Sequence, residues 1–138
     1  MKALRTLIKL SRNKLDKIAV ELGLFEEHKL ELLKELQLII EEVSAEKEFC
    51  ESNYSFMLEK YLDRMYKKEA VINLQIKKLE NYIEKKRELL REEYSELKKY
   101  EIVLQKKQNE EYLKIQKEEA KFLDSFAHSG SARVKSDF

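Results

Sequence analysis

The chain has no proline, no tryptophan, two glycines and one cysteine in 138 residues. With glycine only at Gly23 and Gly130, it has little of the turn chemistry from which sheets and active-site loops are built. A single cysteine, Cys50, excludes an internal disulfide and fits a reducing compartment. No apolar run approaches the roughly 18–20 residues that cross a bilayer. The first ten residues carry a charge every few positions and lack the apolar block of a signal peptide. The net charge of +1 balances 28 Lys and Arg against 27 Asp and Glu, so no global field draws the chain to nucleic acid. These absences lead to the expectation of a soluble cytoplasmic protein with no membrane span and no nucleic-acid partner.

Constellations that carry chemistry are missing as well. No glycine-rich loop can cradle a phosphate. His28 and His128 stand a hundred residues apart, without the spaced cysteines or carboxylates of a metal site. Cys50 has no histidine near it in sequence and reads as a small apolar residue. Glutamate pairs such as Glu92-Glu93 and Glu118-Glu119 enclose no pocket in which a carboxyl group could be tuned as a general acid. The expectation is a protein that is not an enzyme, with no cofactor and no metal.

What the chain does contain is helical repeat. Charged residues make up 40% of it, a composition that with a 3.5-residue period points to a coiled coil. Alternate steps of four and three from Leu58 reach Leu62, Met65, Glu69, Ile72, Ile76, Leu79, Ile83, Lys86, Leu90, Glu93, Leu97, Tyr100 and Leu104. A second ladder runs through Leu4, Ile8, Ser11, Leu15, Ile18, Leu22, Phe25, Lys29, Leu32, Leu36, Ile39 and Val43. Such a stripe keeps one face of a helix against a partner along its length. Gly23 falls off the ladder and reads as a surface position tolerated inside a helix.

Between the ladders lies Glu51-Ser-Asn-Tyr-Ser, the one internal cluster of residues that favour turns and helix caps. The fold expected is all-α: an elongated two-helix antiparallel coiled-coil hairpin with unequal arms. Its helices would span about 2–49 and about 55–127, with a turn at about 50–55 and a flexible tail over 128–138. Ser52, Asn53 or Ser55 could cap the second helix, Ser55 being favoured because Glu59 follows in its first turn. Folding back from residue 53 puts Leu4 beside residues near 102. After Leu104 the apolar positions shift to Gln108, Tyr112, Ile115, Glu119, Phe122 and Phe126, a four-residue stutter. The longer arm thus loses its partner near the place where its pattern changes, and something else must cover it. Residues 1–20 hold six Lys or Arg against one Asp, and residues 21–51 hold ten Glu against three Lys. Two ends with different partners are expected from this asymmetry.

The aromatics cluster too. Tyr54, Phe56, Met57, Tyr61 and Tyr66 crowd the start of the second helix, and such side chains either pack along the seam or anchor an interface. Phe122, Leu123 and Phe126 lie in the unpaired arm, interleaved in sequence with Lys114, Lys117 and Lys121.

Three short stretches together resemble the FliJ family of the flagellar type III export apparatus. They are Leu7-Ile8-Lys9-Leu10 with Leu15-Asp16, then Asn53-Tyr54-Ser55-Phe56-Met57, then Leu123-Asp124-Ser125-Phe126-Ala127. Ser125 stands where the family usually has Glu, and Met57 where several members have Phe. The resemblance implies a central stalk whose termini enter the pore of the hexameric export ATPase. Arg5, Lys9, Arg12, Lys114, Lys117, Lys121, Phe122 and Phe126 would contact that ring. Tyr54, Met57 and Tyr61 would face the cytoplasmic domain of the membrane export gate. It also implies export chaperones as partners and a place at the cytoplasmic side of the inner membrane, peripherally associated with the export apparatus. An injectisome stalk and a dimeric structural tether are the competing readings.

Overall fold

The computed structural model describes residues 1–50 and 56–136, with side chains as far as residue 129. Two α-helices pack against each other: α1, Lys2–Phe49, and α2, Phe56–Ser136. Both are rich in Leu, Glu and Lys, which lose little rotamer freedom in a helix. Lys47 in the last turn of α1 and Glu59 in the first turn of α2 each complement the helix dipole. The backbone N–H of Cys50 donates to the Glu46 carbonyl at 3.0 Å and satisfies one of the last acceptors of α1. Apart from Cys50, the turn expected at about 50–55 lies outside the described residues, as do the proposed Ser55 cap and Tyr54.

The chain divides into two compact units, Asn13–Tyr94 and Met1–Arg12 with Ser95–Phe138. In the first, every ladder position on both helices is buried or half-buried. Leu32, Ile72, Ile76 and Leu79 form the core cluster, with Phe25, Leu36 and Ile39 packed against it. Phe25 also stacks on Tyr82, ring centroids 6.0 Å apart. Ion pairs Lys14–Glu93, Glu21–Lys86 and Lys29–Glu80 climb α1 while descending α2, so the helices run antiparallel. The charged ladder members Lys29, Lys86 and Glu93 each belong to one of these pairs. Their stems lie along the seam and their charged ends reach a partner at its edge.

In the second unit Ile8, Ser11 and Leu97 are buried, and Leu4, Tyr100 and Leu104 half-buried. Arg12 meets Glu101 at 3.1 Å at the edge of this seam. Beyond Leu104 every residue from 105 to 129 is exposed.

Two expectations change, and a third holds. The helix does not end at 127 but continues to Ser136. Gly130 lies inside the helix, and no proline follows to stop it. The acidic run of α1 is not simply an end awaiting a partner, because Glu21 and Glu26 are taken by Lys86 and Arg87 of α2. Residues 60–87 hold nine Lys or Arg against four Asp or Glu, so the acidic half of α1 faces a basic stretch of α2. Gly23 is the plain surface site expected of it. It is exposed, has ordinary helical φ, and a Cβ added there would meet nothing within 4 Å.

Candidate functional site

The surface that calls for a partner is α2 from residue 105 onward. Successive helical residues are turned by about 100°, so positions three, four and seven apart share a face. Tyr112, Ile115, Phe122 and Phe126 thereby form one stripe. Their exposures of 62%, 48%, 70% and 71% are those of side chains with no helix against them. Ile115, Glu118, Glu119, Phe122 and Leu123 line a shallow groove on this face. Gln116 donates from Nε2 to the Tyr112 hydroxyl at 2.9 Å, which steadies the ring along the helix.

The same geometry separates residues that the sequence interleaves. Lys117 projects from the side of α2 opposite Phe122 and Phe126, while Lys114 and Lys121, four residues before and three after Glu118, lie beyond Glu118 from the stripe. The charges that share its face are Glu111, Glu118 and Glu119. Arg5, Lys9 and Arg12 belong to the same compact unit and are exposed, with Arg12 already engaged by Glu101. The eight residues expected at the ATPase ring therefore all lie in one unit, but on more than one face of it. Tyr112, Ile115 and Glu119 are the members missing from that expected set, although the helical step alone assigns them to the stripe.

A second exposed group lies in the other unit. Phe49, Phe56 and Met57 are 84%, 69% and 77% exposed, while Tyr61 is half-buried on the flank of the seam. Lys60 sits over the Phe56 ring at 4.7 Å, and Lys47 over Tyr66 at 5.4 Å. Of the residues expected at the export gate, Met57 is thus free to make contacts and Tyr61 is partly used in packing. Phe49 was not singled out from sequence; its signal was an apolar residue off the ladder beside the turn cluster.

Among the described residues no group of His, Cys, Asp or Glu could hold a metal ion, and no helix is long and apolar enough to cross a membrane. What remains is a pair of helices with exposed apolar side chains, among them the two groups described above. A family model described as Flagellar FliJ protein matches residues 1–136. The chain belongs to the FliJ family. No curated protein and no solved structure matches it. Membership makes it a protein related to flagellar export, in keeping with a helical pair built to present surfaces.

Proposed function

We propose that this FliJ-family chain is the non-enzymatic stalk of the flagellar type III export ATPase. Its binding promotes assembly of the ATPase ring and couples the ring to the export gate and to chaperone handling. The observation that carries this reading is the apolar stripe of α2, which continues past the end of its helical partner with Phe122 and Phe126 about 70% exposed. A helix with such a stripe needs a protein around it, and a ring would surround it on every side. Arg5, Lys9, Arg12, Lys114, Lys117 and Lys121 then meet the ring from the remaining faces. Met57, with Tyr54 and Tyr61, is the surface offered to the gate's cytoplasmic domain. In this role the protein works at the cytoplasmic side of the inner membrane without inserting into it.

The test is ATP hydrolysis by the export ATPase of the same organism, titrated with the purified chain. Stimulation saturating near one copy per hexamer is expected. Removal of residues 112–138 is expected to abolish it while the seam keeps its melting temperature. Full stimulation by the truncated chain would remove the ring contact from this segment, and no stimulation by the intact chain would end the stalk reading.

A further inference from the structure

The uncovered stripe has a chemical character that follows from the seam it continues. Where α1 covers α2, charges at the edge are matched by opposites from the facing helix. Lys14 answers Glu93, Arg12 answers Glu101, Glu21 answers Lys86 and Glu26 answers Arg87. In the unit that contains the stripe, the covering helix is basic: Lys2, Arg5, Lys9 and Arg12, with no acidic residue between Met1 and Arg12. The stripe beyond Leu104 carries on the four-three repeat with Tyr112, Ile115, Phe122 and Phe126, but it has no covering helix. Glu119 stands on the stripe itself and Glu118 beside it, both lining the groove with Ile115 and Phe122. Lys117 lies on the opposite side, and Lys114 and Lys121 lie beyond Glu118, farther from the stripe.

We infer that the stripe docks an apolar surface edged with Lys or Arg, which replaces α1 in chemistry beyond the point where α1 ends. Glu118 and Glu119 determine which partner fits: an apolar surface with acidic edges would leave two carboxylates facing like charge. The inference rests on the stalk reading and assigns the basic-edged surface to the export ATPase. The cations Lys114, Lys117 and Lys121 then contribute long-range attraction and few of the contacts that set the dissociation rate.

Three forms of the full-length chain test this against the purified export ATPase at fixed ionic strength. They are the unaltered protein, Glu118→Lys with Glu119→Lys, and Lys114→Glu with Lys117→Glu and Lys121→Glu. All the altered side chains are exposed, and circular dichroism checks that helix content is kept. The expected result is binding weakened by about tenfold or more in the first variant and by less than about threefold in the second. Equal binding by the first variant and the unaltered chain, or a larger loss in the second variant, overturns the inference while leaving the stalk reading intact. Failure of the unaltered chain to bind overturns the stalk reading and this inference with it.

Discussion

Arg12 lies 3.1 Å from one carboxylate oxygen of Glu101, and Lys98, one turn away on α2, holds the other at 3.2 Å. A carboxylate that accepts from two cations is favoured in its charged form. The Arg12 hydrogen bond, followed by that of Lys98, holds the Glu101 carboxyl below its ordinary value of 4.5. Glu21 is lowered likewise, chiefly by its hydrogen bond from Lys86. A depressed acid stabilises the folded state above its ordinary pKa and ceases to do so as pH falls through the lowered value. The helix pair is therefore expected to lose thermal stability below pH 4.5. Glu101→Gln should melt lower than the unaltered chain at neutral pH, with the gap closing in strong acid. A gap of the same size at both pH values would count against the pairing as its cause.

Ser11 occupies a buried ladder position, and its hydroxyl has no hydrogen-bond partner among the described residues. An unsatisfied buried hydroxyl costs on the order of 1 kcal/mol or more, and alanine is the better helix former. Ser11→Ala is expected to raise stability by about 1 kcal/mol, read from the urea midpoint at constant slope. A lower midpoint would mean that the hydroxyl is satisfied in solution.

The seam could be read in the sequence because one stripe on each helix meets only the other stripe, so spacing alone determines which residues are covered. Even Lys29, Lys86 and Glu93 fall on it, where hydropathy alone would have rejected them. Other features were harder to see because they depend on two segments at once. The acidic run of α1 has the look of a surface for a foreign partner until Lys86 and Arg87 are placed against it. Lys121 and Phe122 are neighbours in sequence, but the helix turns them to different sides. The extension of α2 to Ser136 is hidden by Gly130, whose residue type suggests a terminator although the helix runs through it.

Ile76 and Phe126 provide a contrast between covered and uncovered positions on α2. Ile76 is 7% exposed, in the cluster with Leu32 and Leu79, whereas Phe126 is 71% exposed. Ile76→Ala removes buried methylenes that the seam cannot refill and is expected to cost about 2–4 kcal/mol. Phe126→Ala should leave the melting temperature within experimental scatter, because its ring has little to lose in the free chain. If both changes shift melting by the same amount, then the segment after Leu104 is covered by something in the free protein.

Glu69 sits on the ladder between Met65 and Ile72, half-buried, and among the described residues it has no ion pair. Lys29, Lys86 and Glu93 escape the same problem by reaching an opposite charge across the seam. A leucine at this half-buried ladder position would add apolar burial to the seam. Glu69→Leu is therefore expected to stabilise the helix pair by about 1 kcal/mol, with Glu69→Gln falling between the two. Urea unfolding of the three proteins at neutral pH decides it. A loss of stability in the leucine variant would show that Glu69 is better solvated than its place on the seam suggests.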